Sequence, residues 1–223
     1  MLRGAPALTT DADICGHRAC YQNRTSLCAI GRLALFDSLV PAGRVAPRSE
    51  MRPRLTTPEE LFAHFDALGI AHRTYSHPPV FTVAEAVALR GSLPGGHCKS
   101  LFLKDKKGGF WLVVLLEERR IDLRKLAVWL PAPRLSFGGA ADLERILGVR
   151  PGSVTPFALA NDVQRLVTPV LDARMLARDP LNYHPLVNDR TTAVSSDDLL
   201  RLLAASGHVP RIIELDELYH GTG

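Results

Sequence analysis

A chain of 223 residues with 46% hydrophobic and 22% charged side chains has the balance of a soluble globular protein, with room for one substantial domain and an appendage. No run reaches the roughly 18–20 apolar residues of a membrane helix. The net charge of +4 permits a nucleic-acid partner without demanding one.

Residues 1–50 show no sustained period and carry six Arg against four acids. A secretory signal would place its apolar run nearer the start, and Asp11, Asp13, Asp37 and Glu50 argue against a mitochondrial transit peptide. The segment is expected to be a poorly ordered extension, or to be translated from an early start with Met51 as the alternative. The folded domain is then 51–223. Cys15, Cys20 and Cys28 fit no zinc spacing, and Cys98 stands alone in the domain. A reducing, cytoplasmic setting follows.

From Thr57 the elements are legible. "TTPEELFAHFDALGI" predicts a helix with Thr57 as cap, Glu60 closing a capping box and Gly69 as stop. "HRTYSH" alternates as a strand, and "TVAEAVALRG" repeats the helix pattern. "KSLFLKD", "KKGG" and "FWLVVLL" predict a β-hairpin. "IDLRKLAVWL" and "ADLERILG" read as helices, "SVTPFAL" and "RLVTPVLD" as strands. "NYHPL" and "TTAVSS" form another strand pair, "SSDDLLRLLAASG" a capped helix and "PRIIEL" a closing strand. This order lacks regular βαβ alternation, so the expected class is α+β, with a mixed, largely antiparallel sheet flanked by helices.

The chain has no Gly-rich phosphate loop, G-x-S-x-G, H-E-x-x-H or C-x-x-C, so nucleophile-based and metal-based mechanisms lack an anchor and no cofactor is expected. Three stretches carry other chemistry. Lys99 opens an apolar strand after a glycine turn and suits a phosphate or carboxylate, or is simply a solvated strand-end lysine. Gly152 to Pro156 gives G-x-x-x-P, where a residue without Cβ lets a ligand approach backbone N–H groups; the plain alternative is a connecting loop. "NYHPLVNDRTTAV" sets His184, Asn188 and Thr191 on what is either a hairpin with Asn-Asp turn chemistry or the rim of a polar site. The remaining histidines, His77 among them, read as surface or core.

Taken in order, "HPPVFTVAEA", "CKSLFLKD", "GSVTPFALAND" and "NYHPLVNDRTTAVS" resemble the YbaK-like editing domains, also called prolyl-tRNA synthetase-associated domains, over roughly residues 57–217. Within that family the likeness is greatest to free-standing alanyl-tRNA(Pro) deacylases. The resemblance implies hydrolysis of the ester of mischarged Ala-tRNA(Pro), with Pro-tRNA(Pro) left intact. It implies tRNA(Pro) and prolyl-tRNA synthetase as partners. It assigns Lys99, Gly152 and His184 to catalysis, Phe81 and Thr82 to the amino-acid cavity, Pro156 to the loop, and Asn188 and Thr191 to support. Water would attack with help from the ribose hydroxyl, and amides near Gly152 would meet the oxyanion. His184 would act as positioner rather than base. Two alternatives stay open: another mischarged amino acid (Cys, Ser or Thr), and a non-catalytic module binding tRNA or a synthetase. Lys104, Lys106, Lys107, Arg119 and Arg120 are candidate phosphate contacts.

Overall fold

The computed structural model describes residues 54–78 and 93–215, all within one compact unit, Ser49–Gly223. Helix α1 (Pro58–Ala67) forms as its caps dictate. Thr57 Oγ1 accepts from Glu60 N–H at 3.2 Å, and the Glu60 carboxylate accepts from Thr57 N–H at 3.0 Å. Its buried stripe is Leu61 and Phe65. Then follow β1 (His72–Ser76), β2 (Gly96–Lys104), β3 (Phe110–Leu116), α2 (Leu123–Trp129), β4 (Ser136–Phe137) and α3 (Ala140–Leu147). A 3-10 helix (Pro156–Asn161), β5 (Val167–Asp172), α4 (Ala173–Leu176), β6 (Leu181–Tyr183), β7 (Arg190–Val194), α5 (Ser196–Ala205) and β8 (Arg211–Ile213) complete the order.

The strands form one sheet in the order β1-β7-β6-β2-β3-β5-β8, with β4 also paired to β2. The β1/β7, β2/β3, β2/β4 and β6/β7 pairs are antiparallel; β2/β6, β3/β5 and β5/β8 are parallel. The expected mixed, mostly antiparallel sheet with helices is what forms.

Each face of the sheet has its own core. On one, α1, α3, α5 and the 3-10 helix bring Leu61, Phe65, Ile146, Phe157 and Leu202 against Phe102, Leu112 and Leu181. On the other, α2 brings Leu126 and Leu130 against Leu103, Val113, Leu115 and Val170. Each such leucine, withdrawn from water, contributes about 1.5–3 kcal/mol. α2 covers only the β2, β3 and β5 part of this second face. Among the described residues no helix core is shared with the β1-β7-β6 part of this face, toward which Asn182 and Thr191 point.

One sequence expectation is overturned. "SVTPFAL" is not a strand: Pro156 opens a 3-10 helix, and Thr155 caps it by accepting from Phe157 N–H at 3.4 Å. The helix expected over "TVAEAVALRG" lies outside the described residues. The short β4 and α4 were not anticipated. No helix among the described residues is long and apolar enough to cross a membrane.

Candidate active site

The ladder registers decide which side chains share a face. Leu181, Tyr183 and Val194 belong to the first core, as does Cys98 at its margin. Side chains alternate along strands, so Asn182, Thr191 and Lys99 point the other way. β2 and β6 run parallel with Gly96 opposite Leu181 and His97 opposite Asn182. Lys99 and His184 each lie two residues beyond this last pair.

Lys99 is held rather than extended. Its ammonium donates to the backbone carbonyl of Glu117 at 3.0 Å and to that of Arg119. Both acceptors lie in the turn after β3, closed by Arg119 N–H donating to Leu116 O at 3.1 Å. A lysine has three donors, so one N–H has no acceptor among the described residues. Burial lowers the Lys99 pKa below its usual value, against the opposing pull of Glu117 and Glu118, with Arg120 adding to the fall.

His184 leaves β6 into an inverse γ-turn centred on Pro185, closed by Leu186 N–H donating to His184 O at 3.0 Å. Leu186 follows in the left-handed region at φ 67°. His184 Nδ1 lies 3.0 Å from Arg190 O. A carbonyl only accepts, so Nδ1 carries the proton and Nε2 of the neutral ring is an acceptor. The contact ties the ring across the hairpin.

His77, which sequence reading set aside as surface or core, belongs to this group. Its N–H donates to Asp189 O at 2.9 Å, extending the β1/β7 ladder past Ser76. Its Nδ1 lies 2.9 Å from Pro78 O, and its Nε2 lies 2.9 Å from Thr191 Oγ1. The same tautomer argument makes buried Thr191 the donor to Nε2. The His77 and His184 rings stand 6.2 Å apart. The only hint in the sequence was the His-Pro pair just past a strand. Asn182 was also missed: it is buried on this face and donates to Pro94 O at 3.0 Å.

The G-x-x-x-P loop meets the hairpin. Ser153 N–H donates to Arg150 O at 3.0 Å, closing a β-turn with Pro151 second and Gly152 third at φ 93°. A Cβ on Gly152 would sit 3.7 Å from Asn188 Nδ2. The Gly152 N–H has no partner among the described residues, whereas that of Ser153 is consumed by the turn. Pro156 is buried as the first residue of the 3-10 helix that follows the loop. Phe81 and Thr82 lie outside the described residues.

The phosphate-contact candidates divide. Lys104 pairs with Asp142 at 3.1 Å and Arg119 with Asp172 at 3.3 Å, the Arg119 side chain being only 10% exposed. Lys106, Lys107 and Arg120 remain exposed.

This pattern of residues is matched by a known family model, that of the aminoacyl-tRNA editing domain, over residues 77–202. The chain belongs to the aminoacyl-tRNA editing domain family. A "Prolyl-tRNA synthetase associated domain-containing protein 1" from Danio rerio is 38% identical over 160 residues, covering 71% of this chain and 87% of the relative. The "Prolyl-tRNA editing protein ProX" of Acetoanaerobium sticklandii is 32% identical over 158 residues, covering 70% and 96%. The "Multifunctional Ser/Thr-tRNA deacylase ProXp-y" of Escherichia coli is 24% identical over 157 residues, covering 69% and 92%. A solved structure described as a candidate trans-editing enzyme for prolyl tRNA synthetase superposes with a TM-score of 0.56 at 19% identity, covering 72% of this chain and 97% of the other. That likeness shows the fold. As an editing domain, the chain acts on the ester joining an amino acid to tRNA.

Proposed function

We propose that the protein is a trans-editing deacylase that hydrolyses mischarged Ala-tRNA(Pro) and leaves Pro-tRNA(Pro) intact. The observation that carries this reading is the meeting of the Gly152 turn with Asn188 of the β6–β7 hairpin, the hairpin whose second strand carries Thr191. A backbone N–H without a partner among the described residues, at a residue without a side chain, suits a carbonyl that becomes an oxyanion. The names carried by its prolyl-tRNA relatives support the choice of tRNA.

Water attacks the ester carbonyl with help from the neighbouring ribose hydroxyl. The tetrahedral oxyanion takes the Gly152 N–H, the C–O bond to ribose breaks, and the ribose oxygen receives the proton. One such donor is worth about 10²–10³ in rate. Lys99 contributes charge and position through its remaining N–H, and His184 orients the aminoacyl end. Editing is needed because removing a few methylenes gives a synthetase only about 1–3 kcal/mol of discrimination. Lys106, Lys107 and Arg120 are proposed to meet the tRNA backbone, with prolyl-tRNA synthetase as a partner and the cytoplasm as the setting.

A hydroxyl amino acid is the second reading, favoured by the His77–Thr191 hydrogen bond, a polar pair able to re-pair with a substrate hydroxyl. The test is hydrolysis of tRNA(Pro) charged with Ala, Ser, Thr, Cys or Pro, with Lys99→Ala beside the natural protein. Rapid loss of alanine alone is expected, cut by Lys99→Ala to a slow residual rate. Faster loss of Ser or Thr transfers the assignment to the second reading, and survival of all five esters ends the deacylase reading.

A further inference from the structure

Lys99 of β2 pairs with Leu115 of β3, and Val114 of β3 pairs with Leu171 of β5. Asp172, one residue beyond Leu171, therefore stands level with Leu115. Val170 lies in the second core together with Leu115, so Asp172, two residues on, faces the same side. Lys99, Leu115 and Asp172 thus make one row across three strands. Arg119 arches over this row. Its backbone carbonyl accepts from Lys99 Nζ, and its Nε sits 3.3 Å from Asp172 Oδ2.

This ion pair is withdrawn from water: the Asp172 side chain has no exposure and that of Arg119 has 10%. Asp172 Oδ1 also accepts from Arg174 N–H at 3.3 Å, which anchors the carboxylate to the start of α4. Burying a carboxylate and a guanidinium is costly, and apolar pairs of similar volume often fold as stably. The pair's effect on the molecule is placement. It holds the Glu117–Arg120 turn against the end of β5, and that turn supplies both carbonyls that hold the Lys99 ammonium.

We propose that Arg119, pinned by Asp172, is a positioning residue for Lys99: the ion pair fixes the turn whose carbonyls set where the ammonium stands. The inference rests on the reading of Lys99 as a group of the editing site. It touches no substrate itself, and its effect passes wholly through Lys99.

The experiment is a double-mutant cycle. Removing Arg119 alone would take the cation from a buried carboxylate, so the pair is exchanged together, Arg119→Met with Asp172→Leu, in the natural and Lys99→Ala backgrounds. Thermal melting of all four proteins verifies folding, and Arg119→Lys with Asp172 retained serves as the conservative variant should the double exchange not fold. Because misplacement of about 1 Å costs on the order of 100-fold, we expect a 10–100-fold loss of deacylation in the natural background, partial recovery in Arg119→Lys, and no further loss once Lys99 is Ala. The nitrogen and ε-carbon NMR signals of Lys99 should move toward those of solvated lysines in the exchanged protein. Activity within twofold of the natural protein, or equal losses in both backgrounds, overturns the proposal. If the natural protein hydrolyses no ester, the deacylase reading has failed and the NMR signal decides alone: an unmoved Lys99 signal overturns the positioning role, and a moved one upholds it.

Discussion

Replacing Gly152 with Ala separates backbone strain from catalytic loss. Gly152 sits at φ 93°, and a Cβ there meets only Asn188 Nδ2, at an ordinary contact distance of 3.7 Å. The substitution therefore costs little by collision and mainly by conformation, about 1–2 kcal/mol for an L-residue held in left-handed geometry. At about 2–4 °C per kcal/mol for a domain of this size, melting should fall by roughly 2–8 °C. Any relief of the strain rotates the peptide that carries the Gly152 N–H, and losing one oxyanion donor costs about 10²–10³ in rate. Gly69 supplies the control: its φ is 65°, a Cβ there meets nothing within 4 Å, and it ends α1 away from the site. Gly69→Ala should melt lower by a similar amount and hydrolyse at the natural rate. The assay is deacylation of Ala-tRNA(Pro) under single-turnover conditions, beside thermal melts of both variants. A Gly152→Ala protein that melts lower yet keeps the natural rate refutes the role given to the loop.

Thr191→Val removes the hydroxyl that donates to His77 Nε2 and leaves a similar volume, so deacylation should fall by about tenfold, with at most about 1.5 kcal/mol of stability lost by denaturant titration. Burial pushes the Asp162 carboxyl up, but hydrogen bonds from His208 and from the Leu166 and Val167 amides outweigh it and leave the pKa lowered. A lowered folded pKa stabilises above the unfolded value of about 3.9 and is lost as pH falls through the folded one. Asp162→Asn should thus cost about 1–3 kcal/mol at pH 7 and soften the stability decline below pH 4, measured by melts from pH 7 to 3. Burial pushes the Cys98 thiol up to about 12, so at pH 8 peptide-resolved alkylation of Cys98 should be at least about a hundredfold slower in the native chain than in urea. Charge reversal at Lys106 and Lys107 should weaken tRNA binding and flatten its salt dependence, with hydrolysis of a charged minihelix lacking the distal arms kept near the natural rate.

What the sequence made legible is what is local. The capping box at Thr57, the hairpin around Asp105–Gly109 and the pairing of "NYHPL" with "TTAVSS" each depend on residues a few places apart, and each formed as expected. "SVTPFAL" went wrong because an apolar run was weighed above the Thr155-Pro156 pair, which is a cap followed by a first-turn proline. The surroundings of Lys99 were illegible for a different reason: its acceptors are backbone carbonyls, which carry no residue signature, in a turn positioned by an ion pair from another strand. His77 escaped because its partner Thr191 comes to it only through the β1/β7 register.

The division of the site between strands and loops bears on how substitutions will act. Lys99 is followed on the same face of β2 by Leu101, packed at the margin of the second core, and by Leu103 within it, so one strand carries a proposed site residue at one end and core packing at the other. Thr191 is likewise buried in β7. A change at either position disturbs ladder and site together, and its effect on rate will carry a component of stability. His184 and Gly152 instead lie just outside regular structure, beside the left-handed residues Leu186 and Gly152 itself. Leu186 there holds a less favoured backbone shape, of the kind that persists only where surrounding contacts enforce it, and Gly152 one that glycine alone adopts freely. Rate losses at these loop positions should therefore exceed what any loss of stability explains. The ratio of rate loss to stability loss becomes a physical criterion for telling which residues of this site shape the reaction and which hold the frame.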